Sequence, residues 1–372
     1  MKIGVFAFML LFFISMLTYV CIRGGQALST FGASRIIFII SAIVLFLMFF
    51  VGMILGNYFP LPVAKAITFL GNTFLIVMIY LTFSFLITDT VLIFNKIFHF
   101  IKFDVHTFRF WAMMISSMVI FVALCVGNYT FNHPQVVKLN VTAEKSSQNK
   151  EIKIAAISDV HLGISIDKNR LKKYVELINA QQPDLVIIGG DLVDRSIIPL
   201  ERQKMHEDLL QIKAPMGVFA TLGNHEYYGE GMDRVEDFYK KSGITLLKDS
   251  AAFVQNQFYI AGREDDRMNP SRKRLDDILK NVDHLKPIIL LDHQPLFLSD
   301  AEKNNVDFQF SGHTHKGQFF PGNLFVKQMF ELGYGYMKKG NTAYYVSSGL
   351  GLWGPQYRIG SQSELVVIDF KY

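Results

Sequence analysis

The sequence predicts an α/β domain preceded by an all-α bundle of four transmembrane helices. Three observations carry that expectation. Four apolar stretches in the first third approach or exceed the roughly 20 residues that cross a bilayer. Beyond residue 150, short apolar runs alternate with helical periodicity, as in strands and helices packed in layers. Five polar motifs each fall where one of the short runs ends.

The apolar stretches run Ile3–Ile22, Ile36–Leu55, Ile67–Ile93 and Phe108–Val126, and the one Lys or Arg in them is Arg109, at the edge of the fourth. The third continues weakly to Ile101. Asp89 lies near its end, either as an interfacial carboxylate or as a polar group facing the bundle. Met1-Lys2 ahead of an apolar run also suits a cleaved signal, but the stretch is long and lacks a clean small-x-small site, so a retained helix is expected. Loop charges give the orientation. Arg23, Arg35, Lys96, Lys102 and Arg109 belong to the first and third loops; Lys2, Lys65 and Lys138 lie on the other side. The positive-inside rule then places loops one and three in the cytoplasm and the α/β domain outside it. Cys21 and Cys125 both fall in apolar stretches, so the rest of the chain has no thiolate metal site and no disulfide framework.

Charge is divided as sharply as hydropathy. Residues 1–135 hold seven of the 37 Lys/Arg and two of the 32 Asp/Glu, so the net +5 resides there and the remainder is neutral. A neutral domain lacks the basic footprint of a nucleic-acid binder. The expected divisions are 1–126 (four membrane helices), 127–150 (linker and first strand) and 151–372 (α/β domain). The oligomeric state stays open.

Element by element, Asn128, Asn132, His133 and Pro134 read as a membrane exit, and Val136–Glu144 alternates as a half-buried strand does. Ser146-Ser147-Gln148-Asn149 reads as a turn. Strands are expected at Lys153–Ser158, Asp184–Ile188, Gly217–Leu222, Ile244–Leu247, Pro287–Leu291 and Val306–Phe310, with part of a hairpin at Phe253–Gly262. Helices are expected at Lys168–Ala180, Glu201–Lys213, Asp233–Ser242 and Leu275–Leu285. Thr342–Ser348 and Glu364–Phe370 are β-rich.

The motifs are Asp159-Val160-His161, Gly190-Asp191, Gly223-Asn224-His225-Glu226, His293 and Gly312-His313-Thr314-His315. Strand ends gather ligands at one edge of a sheet. Residues two apart on an extended segment share a face, so Asp159 and His161 can reach one cation. Carboxylate, amide and imidazole donors without thiolate suit Mn, Fe, Zn or Mg, and their number suits two cations sharing a carboxylate. Such a centre neutralises a phosphoester and acidifies a bridging water.

Over roughly 151–372 these motifs resemble the calcineurin-like metallophosphoesterase superfamily. The tail, with Ser347-Ser348-Gly349-Leu350-Gly351, Arg358 and Glu364, resembles a membrane-associated bacterial branch that includes proteins similar to UDP-2,3-diacylglucosamine hydrolases and to transmembrane metallophosphoesterases. The resemblance implies a four-layer α/β/β/α fold, a binuclear metal site with Mn foremost, and hydrolysis of phosphoesters. By motif position, Asp159, His161 and His315 would hold one metal; Asn224, His293 and His313 the other; Asp191 would bridge them. His225 would contact the phosphate or protonate the leaving oxygen, and Asp194 would steady a ligand imidazole. The chain departs from the family's Gly-His-Thr-His-Gly-Gly-Gln at Lys316, either a solvated lysine or one that reaches a substrate phosphate or headgroup.

Four membrane helices are an excessive anchor for a soluble substrate, so a lipid or lipid-linked phosphate is the expected one. The alternatives are a tethered phosphatase or phosphodiesterase of broad soluble range, and a membrane scaffold whose metal site is only structural. Phe319–Trp353 is either ordinary core and β-structure or an apolar lip for an acyl chain, with Tyr334, Tyr336, Met337 and Trp353 as its candidates. His99, His106, His133, His206 and His284 read as loop or surface residues.

Overall fold

The computed structural model describes residues 3–145 and 150–372. The turn expected at Ser146–Asn149, and Lys2 of the charge count, lie outside the described residues. Two compact units divide the chain: Met1–Val126 with Gly354–Gln356, and Gly127–Trp353 with Tyr357–Tyr372.

In the first unit run four long helices, α1 (Ile3–Ala27), α2 (Gly32–Leu55), α3 (Leu61–Phe98) and α4 (Val105–Asn132). Each is long and apolar enough to cross a membrane. Their interior is built from Val20, Phe46, Met78, Leu81 and Ile120. Phe12, Ile40, Ile87 and Val119 point outward and stay exposed, as expected where lipid is the solvent. Asp89 faces the bundle: its Oδ2 lies 2.7 Å from the Tyr19 hydroxyl and 2.7 Å from Arg23 Nη2, both on α1. Arg23 in turn belongs to α1 rather than to the first loop. A carboxylate in apolar surroundings is costly unless paired, which explains why both side chains turn inward.

The second unit holds two six-stranded sheets. The first contains β1 (Gln135–Thr142), β2 (Glu151–Ile157), β3 (Leu185–Gly189), β4 (Val218–Thr221), β5 (Thr245–Leu246) and β12 (Glu364–Lys371), in the order β1-β12-β2-β3-β4-β5. The second contains β6 (Ser250–Val254), β7 (Phe258–Gly262), β8 (Ile288–Leu291), β9 (Phe308–Ser311), β10 (Gly335–Lys339) and β11 (Thr342–Val346), in the order β10-β11-β9-β8-β7-β6. Strands β2 to β5 are mutually parallel, and so are β7, β8, β9 and β11.

Period-two alternation sorts the side chains into layers. Ile154, Ala156, Leu185 and Ile187 face Ile289, Leu291, Phe308 and Phe310 between the sheets. Their neighbours Ala155, Ile157, Val186 and Ile188 pack instead under α5 (Lys168–Ala180), α6 (Ile198–Arg202), α7 (Met205–Leu209) and α8 (Met232–Lys241). Ile288 and Leu290 pack under α9 (Leu275–Ile278) and α10 (Leu298–Lys303). The result is the four-layer α/β/β/α stack. An eleventh helix, α11 (Gly322–Met329), buries none of its residues.

Two expected helices are shorter than their periodicity predicts. Glu201–Lys213 is instead α6 and α7, separated at Lys204, which takes a left-handed φ of 50°. Leu200, Met205 and Leu209 all enter one core. Positions 200 and 205 do not share a face of one continuous helix, so the break lets both in. Leu275–Leu285 stops at Ile278 because Asp283 starts a turn, its carboxylate receiving Leu285 N at 3.0 Å and its carbonyl Lys286 N at 3.0 Å. Three elements, α10, α11 and β10, had no counterpart in the sequence reading.

Candidate metal centre

Parallel strands bring their carboxyl ends to one edge, and the motif residues follow directly from β2, β3, β4, β8 and β9. Asp159, His161 and His315 offer ligand atoms within 4.8 Å of one another. So do Asp159, Asp191 and His293, and so do His161, Asp191 and His225.

Asp191 lies between the groups. Its Oδ1 accepts the His225 backbone N–H at 2.8 Å, while its Oδ2 is 3.7 Å from His161 Nε2 and 3.2 Å from His293 Nε2. His293 donates from Nδ1 to the Gly189 carbonyl at 2.7 Å, which turns Nε2 toward Asp191; burial alone would lower its pKa, but the Asp191 charge raises it well above the ordinary value. His315 Nε2 stands 3.3 Å from Asp159 Oδ1 and 3.3 Å from His161 Nε2. His313 and Asn224 meet through Nδ1 and Oδ1 at 2.9 Å. Asp159, His161, Asp191, His293 and His315 therefore meet, with His225 in one of the groups, and the Asn224–His313 pair stands beside them, the His313 ring 5.2 Å from that of His293.

The donor set fits cations on its own terms. His293 Nε2, which faces Asp191, is buried without a hydrogen-bond partner, and buried polar atoms are rarely left so. Asp159, His161, Asp191, His313 and His315 all adopt φ between 49° and 69°. Such strain in non-glycine residues persists where function requires it. Burial, then the neighbouring His293 charge, lowers the His313 pKa to about 3. Burial beside His161 pulls His315 well below its ordinary value. Both imidazoles are neutral at physiological pH, the form that binds metal. Burial lifts the Asp159 pKa and the Asp191 charge adds to the rise, with the His293 charge opposing it. Gly312 is required by packing: a Cβ there would lie 2.2 Å from Asp159 Oδ2.

His225 is oriented differently. Its Nδ1 lies 2.5 Å from the Asp194 carbonyl and 3.0 Å from Asp194 Oδ1, two acceptors, so Nδ1 carries the hydrogen. Asp194 thus holds His225 more closely than it holds His161, whose Nδ1 is 3.6 Å away.

Two buried residues lock the loops, and the sequence reading gave neither a role. Glu226 accepts the backbone N–H groups of Asp191 (3.2 Å), Val193 (2.9 Å) and Gly223 (2.8 Å) and the Tyr239 hydroxyl (3.0 Å). The only sequence signal was its place at the end of Gly-Asn-His-Glu. Arg358, 1% exposed, donates to the carbonyls of His315 (3.1 Å) and Gly349 (3.1 Å), tying the last ligand loop to the carboxyl-terminal segment. Lys316 is half-buried, and its Nζ sits 4.1 Å from the centre of the Tyr334 ring, a cation–π contact. The stretch expected to be core or lip is mixed. Tyr334 turns inward to Glu364 at 2.9 Å, whereas Tyr336 and Trp353 are exposed.

A family model for calcineurin-like phosphoesterases matches residues 152–317. An uncharacterized metallophosphoesterase of Aquifex aeolicus is 34% identical over 264 residues, covering 68% of this chain and 98% of its own. One of Campylobacter jejuni is 32% identical, covering 71% of this chain and 70% of its own. A Danio rerio transmembrane protein with a metallophosphoesterase domain is 31% identical over 64% of this chain and 57% of its own.

Proposed function

Since the chain belongs to the calcineurin-like metallophosphoesterases, integral-membrane hydrolases of phosphoric esters in this case, we propose that it cleaves a lipid or lipid-linked phosphate at a binuclear centre. The observation that carries this reading is Asp191 Oδ2, which lies between His161 and His293 and so between two ligand groups. In this reading Asp159, His161 and His315 would hold one divalent cation, Asn224, His293 and His313 would hold the other, and Asp191 would be shared between them. Manganese is the cation proposed first, with Fe, Zn and Mg compatible with the same N and O donors.

When bound, the cations supply Lewis acidity to the phosphoryl oxygens and acidify the attacking water. The chain's own groups do the rest. Glu226 and Arg358 hold the ligand loops in register. Asp194 takes the Nδ1 hydrogen of His225 and leaves Nε2 for the leaving oxygen, the role of a general acid. The four helices support the lipid assignment, because they keep the enzyme where such a substrate resides. We place the catalytic unit outside the cytoplasm.

The test uses purified full-length protein loaded with manganese. Turnover of a glycolipid pyrophosphate such as UDP-2,3-diacylglucosamine, and of phospholipid diesters, is compared with that of a small chromogenic diester. A clearly higher kcat/KM on one lipid supports the reading. Equal values on all of them would leave a broad-range tethered phosphodiesterase. Fewer than two metal equivalents after saturation would remove the binuclear centre.

A further inference from the structure

The first unit carries a charged cluster that its own pairing does not balance. Arg23 on α1, Thr88 and Asp89 on α3 and Arg109 on α4 line one small recess, with Ala27 and Phe85 completing its wall. Asp89 is already engaged by Arg23 Nη2 and the Tyr19 hydroxyl, each at 2.7 Å. Asp104, the other acid among residues 1–126, is exposed and accepts Thr107 N at 2.9 Å at the start of α4. The recess therefore sets two guanidinium groups against one carboxylate. The Nε atoms of Arg23 and Arg109 are both buried without a hydrogen-bond partner. In apolar surroundings a surplus positive charge of this kind is costly unless an anion joins it.

The neighbours of Arg109 hold it there. Three residues before it, His106 Nδ1 lies 3.1 Å from the Ser29 hydroxyl oxygen. Beside it, the Phe110 ring lies 5.4 Å from that of Phe31. Further along α4, Ser116 is hydrogen-bonded to Ser84 of α3. These contacts close the start of α4 onto loop one and α3. The half-buried Arg109 side chain lines the recess with its Nε out of reach of solvent. An arginine that served only to reach the headgroup level would instead extend past the helix end.

We propose that this recess between α1, α3 and α4 is an anion site that takes a phosphate group of an anionic membrane lipid. Guanidinium is the cation whose planar fork grips phosphate oxygens in pairs, and Arg109 is the one that Asp89 leaves unpaired. The size of the recess selects a lipid over a free ion. Its interior measures about 10 Å³, room for one water-sized group. One phosphate oxygen can therefore enter while the rest of the headgroup stays at the mouth. The chains of such a lipid find Ile22, Leu86 and Ile87 exposed on the same helices, and a free phosphate ion gains nothing from that apolar surface. Basic pockets between membrane helices suit anionic headgroups for these reasons.

The experiment is native mass spectrometry of the full-length protein with phosphatidylglycerol, phosphatidylcholine or inorganic phosphate added. The wild type is expected to retain one phosphatidylglycerol in preference to phosphatidylcholine. Arg109→Gln, which leaves the Arg23–Asp89 pair in place, is expected to weaken that binding about tenfold, the loss of one charge-assisted contact. Arg109→Lys keeps the charge without the fork and should fall between, and it carries the test if the Gln variant fails to fold. Lys96→Gln removes an exposed charge that does not line the recess and should change nothing. Equal weakening by Lys96→Gln and Arg109→Gln overturns the proposal, since it would reflect only a general attraction to basic residues. So does lipid binding indifferent to Arg109, which places the lipid elsewhere, the metal centre included. Arg109-dependent retention of inorganic phosphate that displaces the lipid overturns the lipid assignment and makes the ligand a free ion. No turnover is read, so this result and that of the substrate comparison are separable.

Discussion

Burial alone would lower the His225 pKa; the Asp191 charge and the hydrogen bonds to Asp194 outweigh it and push the value up to about 9 from an ordinary 6.5. Cations on Asp191 would offset that charge, so the window in which His225 loses its proton in the loaded enzyme lies below about 9. A general acid works while protonated. Activity is therefore expected to hold at lower pH and to fall as pH rises through that window. His225→Ala should lower kcat by about 100-fold or more and abolish the alkaline limb. Metal content, read by elemental analysis, should not change; a variant that loses metal would make His225 a ligand instead. The seven expected ligands were legible because two-residue and strand-end spacings are local. Glu226 and Arg358 were not, since a carboxylate or guanidinium that satisfies distant backbone groups has no local signature. The contact of Lys316 was not legible for the same reason: its partner, Tyr334, lies 18 residues away in sequence, beyond any local pattern.

Strand ends alone do not make a site; the loops that follow β3 and β4 must also keep their spacing, and Glu226 is what ties them. Removing its carboxylate strands four donors, each costing roughly 1–3 kcal/mol if left unpaired, with entering water offsetting part of this. Glu226→Ala is expected to lose about 3 kcal/mol of stability on that scale and to melt at lower temperature. It should also bind metal more weakly, because Asp191 loses its anchor. Glu226→Gln, which keeps one oxygen, should fall between. Thermal melting with and without manganese distinguishes this from a purely local effect: if metal restores the Ala variant fully, the loops do not depend on Glu226. Among whole elements, the sheets were legible because buried parallel strands are continuous apolar runs between polar ends. Helices were less so. The break at Lys204 serves a core contact between residues five apart, and the end of α9 is set by an aspartate turn, both decided by tertiary demands that periodicity does not encode. α11 was not legible because none of its residues is buried, so no core-facing periodicity marks it.

For the whole chain, orientation in the membrane depends on the loops between the helices, and the structure changes the weights in that count. Arg23 is neutralised by Asp89 within the bundle, so it is a structural charge more than a topogenic one. Arg35, Lys96, Lys102 and Arg109 remain at the ends joined by loops one and three, against Lys65 and Lys138 among the described residues of the other side. The balance still favours cytoplasmic loops one and three, because acids contribute little to the rule and the remaining cations lie close to helix ends. With the native cysteines replaced by serine, Thr30→Cys reports on loop one and Ser271→Cys on the catalytic unit, both being exposed. A membrane-impermeant maleimide is expected to label Ser271→Cys in intact spheroplasts and Thr30→Cys only after permeabilisation. The reverse pattern would put the metal centre in the cytoplasm and restrict its substrates to phosphates on the inner leaflet. Labelling of both in intact cells would mean that the helices insert in two orientations, the expected consequence if pairing with Asp89 removes Arg23 from the balance and leaves too small a bias.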